Sequence, residues 1–206
     1  MGSVNMPVSK LDLWIFWAGA VIYGLVVLAA RIGAMRAGQS ASARSSRSIV
    51  GIALQILGIF LAGAGAVHGG LPNAAPRSIA AGVVIAALLL NAAALFHWSA
   101  ETMGKNWSLV ARTREDHELV TSGPFAYVRH PIYVSMLMFL FALAVATGHA
   151  LHLLWAVPVF AAGTAIRIAE EEKLLRAAFG AAFDDYVGRT GALLPKRSVA
   201  FRAHHR

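Results

Sequence analysis

Four long stretches of this chain carry no Asp, Glu, Lys or Arg: Leu13 to Ala30, Ser48 to Pro76, Ser78 to Ala100 and His130 to Ile166. A helix crosses a bilayer core with about 20 apolar residues. The last stretch is long enough for two short spans, with Gly148-His149 as the turn between them. The spacing predicts five spanning helices at roughly 12–34, 49–69, 77–99, 131–147 and 150–169. Composition agrees. Of 206 residues, 58% are hydrophobic and 14% charged, against about 25% charged in soluble domains. No room is left for a separate soluble domain, so one all-α integral membrane domain over residues 1–206 is expected. The first apolar run is long for a secretion signal, and its basic residues Arg31 and Arg36 follow rather than precede it. That order predicts a retained anchor.

The loop charges set an expected orientation. Arg31, Arg36, Arg44 and Arg47 follow the first helix; Lys105, Arg112, Arg114 and Arg129 follow the third. The tail adds Lys173, Arg176, Arg189, Lys196, Arg197, Arg202 and Arg206, while the opposite side has only Lys10 and Arg77. By the positive-inside rule the N-terminus lies outside and the C-terminus in the cytosol. The net charge of +8 is concentrated in these segments, which suits contact with anionic membrane lipids rather than nucleic acid. Without cysteine, the chain has no disulfide, thiolate metal site or cysteine nucleophile. No set of histidines and carboxylates has metal-ligand spacing, and no Gly-rich phosphate-binding fingerprint follows a strand pattern.

The two halves differ. Residues 1–100 hold three hydrophobic helices, in which Gly58, Gly63 and Gly65 would admit a neighbouring helix closely. Residues 101–206 carry the polar groups. From Glu170 onward Leu175, Phe179, Phe183 and Tyr186 recur at helical spacing, which predicts an amphipathic helix.

Two clusters have the residue types for chemistry. The first runs from His117 to Tyr133, with a Gly123-Pro124 turn and then Phe125, Arg129 and His130 before Pro131. A loop entering a helix N-terminus presents free N–H groups to an anionic ligand group. Equally, it is a turn with an interfacial aromatic and a positive-inside arginine. The second cluster is Arg167 to Glu172. Arg167 and Glu171 are spaced i,i+4 and share a helix face. Three carboxylates at the end of a membrane helix must be solvated or paired, either as surface ion pairs such as Glu172 to Arg176 or as part of a site. In the second case Arg167 is an anion clamp and Glu171 receives an ammonium group. His97, His149 and His152 lie near helix ends and read as interfacial.

Taken together, these motifs resemble the isoprenylcysteine carboxyl methyltransferase family, which is related to the membrane phospholipid N-methyltransferases. The resemblance runs through Gly104-Lys105-Asn106-Trp107, Leu119 to Pro124, Arg129 to Tyr133, Arg167 to Glu172, Phe179-Gly180, Tyr186 and Leu193-Leu194-Pro195. It implies a membrane methyltransferase with a cytosolic cofactor region in its C-terminal half. It also implies S-adenosylmethionine held by His117, Glu118, Leu119, Val120, Phe125, His130, Pro131, Ile132, Tyr133 and Glu171. Arg167 would face a lipophilic methyl acceptor arriving from the bilayer, and no metal is implied. Phe125 stands where the family usually has tyrosine, and Ser135 where glycine is frequent.

The acceptor is open among a prenylcysteine carboxylate, a phospholipid amine and a small thiol. The Ala- and Arg-rich composition suggests a GC-rich bacterial genome, where prenylated proteins are not an obvious substrate, and a bacterial inner membrane is the expected location. Two rival classes predict other behaviour: a membrane reductase binds NADPH, and a non-catalytic scaffold binds neither cofactor.

Overall fold

Pro76 and Pro131 each stand at the start of a helix, where the missing N–H costs nothing and the fixed φ suits the first turn. The computed structural model describes residues 6–36, 46–104 and 119–196. Among these, the helices are α1 (Lys10–Arg36), α2 (Ser46–Gly63), α3 (Pro76–Met103), α4 (Pro131–Ala146), α5 (Leu153–Phe179) and α6 (Ala181–Arg189). Short 3-10 turns cover Gly123–Ala126 and Ala150–His152. The described residues form no β-strand, only an isolated parallel bridge between Val128 and Gly191.

Three segments are long and apolar enough to cross a membrane: Lys10–Arg36, Pro76–Met103 and Ala150–Phe179. The other two expected spans are shorter apolar helices, Arg47–Gly63 and Pro131–Ala146. Trp14, Trp17, Val21, Leu25 and Leu28 project outward from α1. In water so continuous an apolar face would be a liability; against lipid tails it is the expected surface. The chain is an all-helical membrane protein.

Two boundaries differ most from expectation. The second helix ends at Gly63 rather than near residue 69, because Gly65 takes a positive φ of 129°. The chain beyond pairs with the N-terminal segment, Val8 N–H donating to His68 O at 2.9 Å and Leu71 N–H to Val8 O at 3.3 Å. The fifth helix continues through the charged residues to Phe179. Gly180, at φ 51°, then turns the chain into α6, a conformation that side chains other than glycine rarely adopt. The expected amphipathic helix is therefore split, with Phe183 and Tyr186 buried on its second part.

Helix α3 packs against both α1 and α4, while α2 lies along α5 and also touches α4. One core cluster joins Phe16, Ile85, Leu89, Ala142 and Ala146; another joins Ala62, Leu140, Ala144, Ala156 and Phe160. The close approach expected at Gly58 is present: a Cβ there would lie 2.8 Å from Phe160 N. Gly148 makes the expected hairpin turn at φ 75°, and its carbonyl accepts Met6 N–H at 3.0 Å. At the same end Ser9 and Asp12 cap α1 reciprocally, at 3.0 and 3.1 Å.

Candidate functional site

The polar residues gather at the other end of the bundle, where α1, α3 and α5 finish and α2 and α4 begin. The loop entering α4 is held largely by its own backbone. Phe125 N–H donates to Ser122 O, Val128 N–H to Pro124 O and Tyr133 N–H to His130 O. The segment after α6 straps it from outside, with Gly191 O accepting Arg129 N–H at 2.9 Å and Ala192 O accepting His130 N–H at 3.0 Å. Tyr186 donates its hydroxyl proton to Phe125 O at 2.7 Å, and burial pushes its pKa up to about 12. The N–H groups that the sequence offered to an anion are thus mostly used to fix the loop.

What the loop presents is side chains. Arg129 reaches Glu172 Oε1 through Nη2 at 2.8 Å and Nε at 2.9 Å, and its Nη1 donates to Thr190 O. The His130 ring stands between two carboxylates, with Nδ1 3.5 Å from Glu171 Oε2 and Nε2 3.2 Å from Glu172 Oε1. Burial disfavours charge on His130, yet the adjacent Glu171 and Glu172 outweigh it and hold its pKa above the ordinary histidine value. Tyr133 donates its hydroxyl proton to Glu171 Oε1, and its ring stacks on His130 with centroids 5.7 Å apart. Arg167 completes the group, with Nη2 3.4 Å from Glu171 Oε1 and its guanidinium carbon 5.1 Å from the Tyr133 ring centroid.

Four of the expected site residues therefore meet: His130, Tyr133, Arg167 and Glu171. Pro131 is buried in the first turn of α4. Ile132 packs instead toward Ala34 and Phe96. Phe125 is buried, with its carbonyl on Tyr186. Leu119 and Val120 are half-buried, and His117 and Glu118 lie outside the described residues. Ser135, where the family frequently has glycine, is buried; it donates to Ile132 O at 2.7 Å and lies 3.2 Å from Tyr23 Oη on α1. The Glu172 to Arg176 pair does not form, since Glu172 goes to Arg129 and Arg176 to Asp184 at 2.8 Å.

Arg129 and Glu172 were not among the expected site residues, and neither was Gln55 of α2, whose side-chain oxygen accepts Arg167 Nη1 at 3.3 Å. Arg129 sat beside His130 in a motif already singled out, which was a usable signal. Gln55, the one Gln or Asn within α2, offered only its polarity in an apolar run.

The donor set suits a ligand bearing cationic and anionic groups. Glu171 keeps 22% of its side chain exposed, and its carboxylate is the acceptor on which Tyr133, Arg167 and His130 converge. The Tyr133 face already lies near one cation, Arg167, as an electron-rich ring does for ammonium and sulfonium groups. Among the described residues, no three His, Cys, Asp or Glu are grouped to hold a metal ion.

The fold and this cluster define a membrane protein with a charged, aromatic site at one end of its bundle. Residues 84–177 match the model of the isoprenylcysteine carboxyl methyltransferase family, a match running from α3 through α4 to nearly the end of α5. The resemblance carried by the motifs thus holds for this part of the chain. The cobalt-zinc-cadmium resistance protein CzcN of Cupriavidus metallidurans is 33% identical over 102 residues, covering 49% of this chain and 47% of that protein. The nickel-cobalt-cadmium resistance protein NccN of Alcaligenes xylosoxydans xylosoxydans is 34% identical over 99 residues, covering 48% and 46%. The aligned part spans just under half the length of each relative.

Proposed function

We propose that this protein is an S-adenosylmethionine-dependent methyltransferase acting on a lipophilic acceptor, most like the carboxyl O-methylation of a protein-bound isoprenylcysteine. The observation that carries this reading is the meeting of the α4 entrance with the end of α5, through Tyr133, His130, Arg167 and Glu171. Bound S-adenosylmethionine would supply an electrophilic methyl group with its own leaving group. The protein's part is then alignment, which can be worth roughly 7–11 kcal/mol of a barrier. Glu171, with Tyr133 and His130 beside it, anchors the cofactor's ammonium. Arg167 orients an anionic group of the acceptor. In the orientation expected from the loop charges the site faces the cytosol, so the cofactor arrives from water and the acceptor sideways from the bilayer.

The test has two arms. Purified protein in detergent is melted with S-adenosylhomocysteine and, separately, with NADPH; ligand at 100-fold its Kd adds about 2.7 kcal/mol of stability. Labelled S-adenosylmethionine is then offered with an S-prenylcysteine analogue, phosphatidylethanolamine or a small thiol. Stabilisation by S-adenosylhomocysteine and label in one pool support the reading. Stabilisation by NADPH alone replaces it with a reductase, and no response to either ligand leaves a scaffold.

A further inference from the structure

Helix α2 lies outside the family-matched residues, yet it reaches the site. Its Gln55 accepts a hydrogen bond from Arg167 Nη1 at 3.3 Å and donates through Nε2 to Thr164 Oγ1 at 2.9 Å. Gln55 is 1% exposed, Thr164 2% and Arg167 7%, so none of the three can trade these bonds for bulk water. An amide held at both ends cannot rotate, and neither can the guanidinium edge it holds.

The backbones are arranged to bring this about. A Cβ on Gly51 would lie 2.6 Å from Arg167 Cγ, and one on Gly163 would lie 2.6 Å from Gly51 O and 2.9 Å from Gln55 N. The aliphatic stem of Arg167 therefore lies directly on α2, in a groove only glycines leave open. At the rim of the same helix pair Arg47 approaches Glu170 at 3.7 Å.

The chemistry of the partner matters as much as its position. A second carboxylate, at position 55 beside Glu171, would outweigh the Arg167 charge and compete with an incoming anion. An amide fixes the guanidinium plane while leaving its charge in place. Glu171 takes Nη2 and Gln55 takes Nη1, so both arms of the guanidinium fork are held.

We infer that Gln55 is a positioning residue for the methyl acceptor: through Arg167 it sets the affinity for an anionic acceptor, without touching the cofactor. This rests on the methyltransferase reading above.

The test compares Gln55→Leu and Gln55→Glu, in wild-type and Arg167→Ala backgrounds, in full-length protein in detergent. The acceptor is whichever of the three pools takes label with wild type. Expected for Gln55→Leu is S-adenosylhomocysteine affinity within about twofold of wild type, a rise in acceptor KM of about tenfold, and no further change once Arg167 is alanine. Gln55→Glu keeps the shape and should raise the acceptor KM more than Gln55→Leu does. Should Gln55→Leu not be recovered folded, Thr164→Val, which frees the far end of the amide, is judged on the same split. An unchanged acceptor KM, equal loss of cofactor binding and turnover, or additivity with Arg167→Ala overturns the inference and leaves the methyltransferase reading standing. A wild-type protein that labels none of the pools removes that reading, and the inference with it.

Discussion

The hydroxyl of Tyr133 donates to the carboxylate of Glu171, joining the first turn of α4 to the end of α5 across the whole helical hairpin. Glu171 also receives Arg167 and faces His130, so removing one partner leaves a carboxylate with fewer donors rather than none. Tyr133→Phe should cost about 1.5 kcal/mol of stability, the usual worth of a hydrogen bond to a charged group. A melting temperature in detergent equal to that of wild type would show that the pair contributes nothing.

Arg129 does a different job. It ties the loop to Glu172 and to the carbonyl of Thr190, and its side chain and that of Glu172 are 10% and 15% exposed. Arg129→Ala leaves Glu172 with His130 alone. The expected loss is about 2–3 kcal/mol, below the range for a fully buried pair because water still reaches the site. It is read as a lower melting temperature, and Arg129→Lys should restore only part of it, since lysine has no fork.

For His130 the pH dependence has a definite sign. Its pKa is raised in the fold, with Glu171 and Glu172 overcoming the effect of burial. The fold therefore holds the proton more tightly than the unfolded chain does. That stabilisation is fully present below the unfolded value of about 6.5 and is lost as pH rises through the higher folded value. Melting wild type and His130→Gln from pH 5.5 to 9 should show the gap between them closing as pH rises. A gap that widens would contradict the geometry.

The α2–α5 contact makes a prediction independent of any ligand. A methyl group on Gly163 would meet the Gly51 carbonyl at 2.6 Å, and backbone cannot step aside as a flexible side chain can. Gly163→Ala should lose about 1–3 kcal/mol through overpacking. Gly188, in α6 with nothing within 4 Å, is the control. There alanine should gain about 0.5–1 kcal/mol by reducing backbone entropy in the unfolded chain.

Under the proposed function, Arg167→Ala should lower methyl transfer sharply, leaving a residual rate, while S-adenosylhomocysteine still binds. Equilibrium binding with labelled cofactor, measured beside the methyl-transfer assay, checks this. Parallel loss of both would mean that Arg167 serves the cofactor and not the acceptor.

Which segments become helices was legible from the chain alone, because charge-free apolar runs leave the backbone no other way to satisfy its hydrogen bonds in lipid. Local rules of this kind also placed the Gly148 turn, the proline start of α4, and the shared face of Arg167 and Glu171. They depend on neighbours within a few residues. Helix ends were less legible: Gly65 and Gly180 stop helices that hydropathy would have drawn differently, because φ is not written in hydrophobicity. What only the tertiary structure decided is pairing across distance. Glu172 turns to Arg129 rather than Arg176, and Gln55 finds Arg167 from another helix. Each of these side chains had a partner available nearby or in solvent, and only the packing of α2 on α5 and of the loop under α6 selected among them.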